Sequence, residues 1–189
     1  MKMNLLRTSL LSLSAAFMAV SCGSTDNVTP PPAPEQPAVQ VQETPEPSGE
    51  DLEYNRSIGD IAITKDAFTE DKNAIQQIIK ELDVVMKQFD YKSWLKYIDP
   101  DSVEYWQKPV NLKKAQGKLP KKGLQLRTLE DYFKFVFVPS RAGREVPEIR
   151  YVTPEYVKAV QFQSEQDIIY YHFNKKDGKW MLHLPPIEN

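Results

Sequence analysis

Two histidines, His172 and His183, are the side chains of this sequence best suited to moving a proton near neutral pH. They sit in two segments, Ile168–Asn174 and Trp180–Leu184, rich in β-branched and aromatic residues and separated by Asp177-Gly178. That dipeptide between apolar runs is the signature of a tight hairpin. A two-residue turn pairs Phe173 with Leu182 and His172 with His183. A three-residue loop, Lys176-Asp177-Gly178, shifts the pairing by one. The first register is preferred, because it gathers Ile169, Tyr171, Phe173, Trp180, Leu182 and Leu184 on one face, and a buried face decides register. The two imidazoles then lie side by side with Tyr170 and Met181. Joined by a carboxylate they could hold a metal, or one could act as a general base. An ordinary half-exposed sheet surface requires neither role. No His-x-His or His-x-x-x-His spacing and no cysteine cluster favours a metal, so no metal site and no catalytic residue is assigned.

The other chemistry-bearing residues are weighed in the same way. Trp94, Tyr97, Tyr105 and Trp106 cluster in sequence and could line a pocket, although aromatics in such a cluster more commonly form core. Asp99 and Asp101 flank Pro100 as turn and capping residues rather than as paired catalytic carboxylates. Between Lys108 and Arg127 lie Lys113, Lys114, Lys118, Lys121 and Lys122, with no acid among them. Gly117, Pro120 and Gly123 make this stretch read as a long loop. Lys113, Lys114, Lys118, Lys121 and Lys122 form a candidate anion-binding patch for an anionic envelope component or an acidic protein; the plain alternative is a solvated connector. No nucleophile elbow, phosphate-binding glycine loop or zinc-ligand spacing occurs, and no cofactor is implied. The chain carries 24 Lys+Arg against 26 Asp+Glu, a formal net charge of −2, which gives no support to nucleic-acid binding.

Cys22 is the single cysteine. Lys2 and Arg7 precede an uncharged stretch, Thr8–Val20, and the small residues Ala19 and Ser21 lead to the cysteine. This is the layout of a cleavable export signal, too short to span a bilayer. With the cysteine directly after it, the segment resembles the lipobox of bacterial lipoproteins. The resemblance implies a signal peptide over residues 1–21, lipidation (palmitate among the acyl chains) of Cys22, and attachment to a membrane. Ala19 stands where the family usually has Leu. Gly23 is not the Asp that retains many such proteins at the inner membrane, which leans the expected location towards the outer membrane of the cell envelope. Residues 22–57 then read as a disordered tether. Pro30, Pro31, Pro32, Pro34, Pro37, Pro45 and Pro47 sit among polar residues with little to bury. At about 3.1 Å per residue, such a polyproline-like segment reaches on the order of 50–90 Å.

The folded domain is expected over residues 58–189. Ile75, Ile78, Ile79, Leu82, Val85, Met86 and Phe89 recur at three- and four-residue steps, one stripe of a long amphipathic helix capped at Thr69 and ending near Phe89–Asp90. Trp94, Leu95 and Ile98 suggest a short second helix. Ser102–Trp106 could be a short strand. Thr128 with Asp131 opens a third helix through a capping-box-like pair, and Pro139 helps to end it. Strands follow at Ile149–Thr153, Tyr156–Gln163, Ile168–Asn174 and Trp180–Leu184.

A long helix, shorter helices and a run of strands ending in Asp177-Gly178-Lys179-Trp180-Met181-Leu182 resembles the nuclear-transport-factor-2-like (SnoaL-like, cystatin-like cone) family. Phe89-Asp90-Tyr91-Lys92-Ser93-Trp94-Leu95-Lys96-Tyr97-Ile98 also resembles that family's turn from first to second helix. The resemblance implies an α+β domain with a curved antiparallel sheet wrapped around the long helix. Enzymes and non-catalytic pocket proteins share that fold, so it leaves function open. The resulting expectation is a membrane-anchored lipoprotein with a non-catalytic binding or structural domain. The alternative is a small-molecule pocket protein or a lyase/isomerase-type enzyme using the cone interior.

Overall fold

The computed structural model describes residues 48–120 and 123–187. The signal segment, Cys22 and most of the expected tether therefore lie outside the described residues, as do Lys121 and Lys122.

Helix α1, Gly49–Ile58, occupies residues that were expected to belong to the tether. Ser48 caps it reciprocally with Asp51, so the two side chains satisfy orphan N–H groups at the helix start. Helix α2, Lys65–Lys87, begins five residues earlier than a cap at Thr69 would place it, because the Thr64 hydroxyl accepts from the Ala67 N–H. Its buried face carries Phe68, Asp71, Ile75, Ile79, Leu82, Val85 and Met86. The stripe stops short of Phe89. That residue takes a left-handed φ of 52° as the chain reverses, and its ring is 53 % exposed. The Asp90 N–H closes the reversal on the Val85 carbonyl.

Helix α3 is a single turn, Tyr91–Trp94. Helix α4, Pro100–Trp106, replaces the strand expected at Ser102–Trp106. Asp99 at the N-cap and Pro100 in the first turn start a helix, and this signal overrides the alternation of Val103 and Tyr105. Helix α5, Pro109–Lys118, replaces most of the expected basic loop, again with proline in its first turn. It seats Asn111, Leu112 and Ala115 against the domain. Helix α6, Leu129–Tyr132, has the expected Thr128–Asp131 capping box. The chain then continues through a π-helical turn, Phe133–Phe137, into helix α7, Val138–Arg141. Pro139 lies inside this continuous run rather than ending it. The Val138 N–H reaches back five residues to the Phe133 carbonyl, a widening that relieves the clash a proline ring causes in a regular helix.

Strands β1 (Glu148–Thr153), β2 (Tyr156–Gln163), β3 (Gln166–Lys176) and β4 (Lys179–His183) form one antiparallel sheet in the order β1-β2-β3-β4. The final hairpin has the preferred register, Phe173 opposite Leu182 and His172 opposite His183. Asp177 and Gly178 both have positive φ, as a two-residue turn of this hand requires. The domain is α+β, but the expected cone is not formed. The sheet is an open meander, neither strongly curved nor closed on itself. Tight hairpins hold each strand beside its sequence neighbour, and the pairing departs from regular register at one place in each of the first two pairs. Wrapping a sheet requires more bulges and kinks than that.

The helices cover one face. Ile149, Tyr151, Val157, Ala159, Tyr171, Phe173, Trp180 and Leu182 pack there against the α2 stripe and the aromatic group Trp94, Phe133 and Phe137. Ile169, expected on this face, is 44 % exposed. The irregularity that pairs Val160 with Ile169 and Ala159 with Tyr171 leaves Tyr170 over and turns Ile169 outward. Beside β4, the Tyr97–Asp99 segment exchanges backbone hydrogen bonds with Leu182.

Candidate functional site

Period-two alternation puts the sequence neighbours of the core residues on the opposite, outer face. Strand register then aligns one residue from each strand in a single row: Arg150 opposite Lys158, Lys158 opposite His172, His172 opposite His183. The sequence pointed to the histidines only. Arg150 and Lys158 were missed, although the short turns Pro154-Glu155 and Ser164-Glu165 would have extended the register across the whole sheet.

Each member of the row is anchored differently. Arg150 is buried and forks onto Asp167, with Nε to Oδ2 at 2.9 Å and a second contact at 2.8 Å. It also approaches Glu148 at 2.9 Å. Lys158 is half-buried. His172 Nδ1 and the Tyr156 hydroxyl oxygen are hydrogen-bonded at 2.6 Å. Burial, and then the cationic neighbours Lys158, His183 and Arg141, push the His172 imidazole down to about 4, so it is neutral at physiological pH. His183 Nδ1 lies 2.9 Å from Asp99 Oδ2 and 3.2 Å from Ser102 Oγ.

The Asp99–Ser102–His183 group contains the residue types of a hydrolytic triad but not its geometry. In a triad the serine and the carboxylate meet opposite nitrogens of the ring. Here both face Nδ1. Ser102 Oγ donates to Asp99 at 2.8 Å and accepts from the Leu184 N–H at 2.8 Å, so it is committed on both sides. Asp99 is fully buried and caps α4 through the Ser102 N–H. Burial disfavours its charge, but the hydrogen bonds from His183 and Ser102 outweigh that and hold its carboxyl below the usual range. The cluster is a clasp between α4 and β4, in keeping with a capping role for Asp99. Asp101 lies on the surface and pairs with Lys176 at 2.9 Å.

A second buried carboxylate, Asp71 on α2, was missed because a cap at Thr69 would leave it in the exposed first turn of the helix, whereas the helix begins at Lys65 and buries it. It accepts from the Tyr151 hydroxyl (2.8 Å), the Trp180 indole (2.8 Å) and Lys175 (2.9 Å). One side chain thereby ties α2 to β1, β3 and β4. Burial, with the hydrogen bond to Asp71, pushes Tyr151 far above the usual tyrosine range.

The expected pocket residues are dispersed into structural roles. Trp94 is fully buried between Phe133 and Phe137, and Trp106 stacks on Tyr132 while donating to the Leu184 carbonyl. Tyr105 accepts from the Ile187 N–H through its hydroxyl. Tyr97 donates to Glu81 at 3.0 Å and reaches the rim of an open depression of about 500 Å³ with Lys96, Lys176, Trp180 and Met181. Trp94 and Trp106 thus belong to the interior, while Tyr97 and Tyr105 are only partly buried at its edge. On α5, Lys113, Lys114 and Lys118 are exposed. Lys108, just before the helix, pairs with Glu104. Among the described residues no group of three or more His, Cys, Asp or Glu is placed to hold a metal ion, and no helix is long and apolar enough to cross a membrane.

Comparison with known proteins gives one informative relative. An "uncharacterized lipoprotein" of Treponema pallidum (strain Nichols) is 30 % identical over 126 residues, which cover 67 % of this chain and 67 % of that protein. No family model and no solved structure matches the chain.

Proposed function

The chain belongs to the same family as that treponemal lipoprotein, and on this footing we propose that it is a lipid-anchored protein of the bacterial cell envelope whose domain binds rather than catalyses. Cys22 is the anchoring residue, residues 1–21 are removed on export, and the proline-rich segment after Cys22 is the tether to the domain. Gly23 in place of Asp favours the outer membrane. The observation that carries the non-catalytic reading is the state of the polar groups inside the domain. Asp71, Asp99 and Ser102 each spend their hydrogen-bonding capacity on joining helices to strands. None is left facing an enclosed space with a proton to move. The basic α5 helix exposes Lys113, Lys114 and Lys118 at the surface, and their positive charge supports contact with an anionic envelope component.

The test is fractionation. Wild-type protein goes with the membrane fraction and Cys22→Ser appears as soluble or uncleaved protein, because two or more acyl chains are needed for stable attachment. If Cys22→Ser partitions with membranes as the parent does, the anchoring proposal is wrong.

A further inference from the structure

The row across the outer face is basic in all four of its members, Arg150, Lys158, His172 and His183. Like charges directly opposite one another on neighbouring strands destabilise a sheet. At the two ends the basic groups have acidic partners, Asp167 and Glu148 at Arg150 and Asp99 at His183. In the middle there is none. Among the described residues the Lys158 side chain has no ion pair or hydrogen bond, and apart from the Tyr156 hydroxyl the polar groups that act on His172 are all basic: Lys158 on β2, His183 on β4 and Arg141 at the end of α7. Arg141 itself donates to the Tyr170 carbonyl at 2.7 Å and lies over the Phe137 ring at 4.3 Å, with no carboxylate partner among the described residues.

We infer that this face binds a phosphate group through Lys158, His172 and His183. Both imidazoles are fixed through Nδ1, by Tyr156 at one and by Asp99 and Ser102 at the other. Neither Nε2 has a partner among the described residues, so both remain available to a ligand. Residues directly opposite on adjacent strands have Cβ atoms about 4.5–5.5 Å apart, close enough for three consecutive members of the row to meet one oxyanion. A metal cation, which two adjacent imidazoles could otherwise attract, is repelled by Lys158 and Arg141. Tyr156 makes the site workable in both protonation states of His172. Its hydroxyl donates to Nδ1 of the neutral ring and accepts from Nδ1–H of the imidazolium that a bound phosphate favours. This site is separate from the α5 lysines and does not depend on their role.

The chain has two histidines, so imidazole NMR of the full-length protein reads the site directly, with His172→Asn supplying the assignment. The pH titration is run in chloride and in inorganic phosphate at matched ionic strength. Phosphate raises the His172 midpoint by about one pH unit or more, as an anion within contact range does. Lys158→Gln loses most of that response with an unchanged circular dichroism spectrum, Lys158→Arg keeps it, and the triple variant Lys113→Gln, Lys114→Gln, Lys118→Gln keeps it too. Response to phosphatidylglycerol vesicles as well as to inorganic phosphate assigns a lipid headgroup. Response to inorganic phosphate alone assigns a soluble phosphate compound. Identical His172 midpoints in chloride and phosphate, or an undiminished response in Lys158→Gln, overturn the inference.

Discussion

Replacing Asp71 by alanine tests how far the domain depends on a single buried carboxylate. The substitution strands three donors. Lys175 is about one-third exposed at its side chain (32 %) and turns to water at little cost. The Tyr151 hydroxyl and the Trp180 indole N–H cannot, since both residues are 7 % exposed. A buried donor left without a partner costs about 1–3 kcal/mol, so the expected loss is about 2–6 kcal/mol. A domain of this kind has about 5–15 kcal/mol of stability, and the variant is therefore close to unfolding at ordinary temperature. Urea denaturation followed by circular dichroism measures the loss. The reasoning makes a second demand. Tyr151→Phe in the Asp71→Ala background removes one of the stranded donors and recovers about 1–2 kcal/mol, whereas Tyr151→Phe alone is destabilising. A cost below ~1 kcal/mol for Asp71→Ala, or additive losses in the double variant, would refute the account of Asp71 as the link between α2 and the sheet.

Acid should weaken the fold first through His172. Its folded-state value is about 4 against about 6.5 for the unfolded chain, so the unfolded chain binds more protons between those limits and stability falls as the pH is lowered across them. Because the ring is partly exposed, solvent screening reduces the full effect to about 1–2 kcal/mol. His172→Gln flattens thermal-melting midpoints measured from pH 7 to 4 in chloride, and an unchanged slope in that variant would remove His172 from the explanation. Asp99 adds a further loss below the ordinary aspartate range, where protonation of its depressed carboxyl opens the clasp to Ser102 and His183. At the end of α2, Phe89 holds a left-handed φ of 52° that glycine adopts without strain, and its exposed ring contributes little burial. Phe89→Gly should therefore raise the unfolding free energy by up to about 1 kcal/mol, and a clear decrease would show that the exposed ring is needed.

Where local chemistry decides conformation, the sequence was a good guide. Asp177-Gly178 announced the last hairpin, the apolar face of its strands favoured the register that forms, and the Thr128–Asp131 pair marked the start of α6. Reading failed where two local signals competed. Val103 and Tyr105 alternate like a strand, yet Asp99-Pro100 starts a helix. Gly117 and the surrounding lysines look like a loop, yet Pro109 opens α5 and Leu112 and Ala115 seat it. The acidic, proline-poor end of the supposed tether contains its own cap at Ser48 and folds as α1. Long-range geometry was less accessible still. The sequence pattern places strands, but whether a sheet closes depends on bulges that shift pairing by one residue, as at Tyr170. That same shift turned Ile169 out of the core. Half of the basic row escaped notice because a row across a sheet appears only when every register is known together.

Helix α1 has a mechanical consequence. Any pull arriving along the chain from the N-terminal side enters the folded unit at Ser48 and is carried by α1 before it reaches the sheet. This helix is fastened by contacts of a replaceable kind. Arg56 grips Glu148 through Nε and Nη2, Lys72 holds Glu53, the Tyr54 hydroxyl hooks the Ile63 carbonyl, and the Tyr54 ring rests edge-on against Phe68. The ionic contacts let go and re-form in water, whereas lifting Tyr54 off Phe68 uncovers one edge of the core. Under load α1 is the part that peels away first, while β1–β4 and α2 stay closed around Asp71. The segment works as a strain relief at the point where a cable meets its housing.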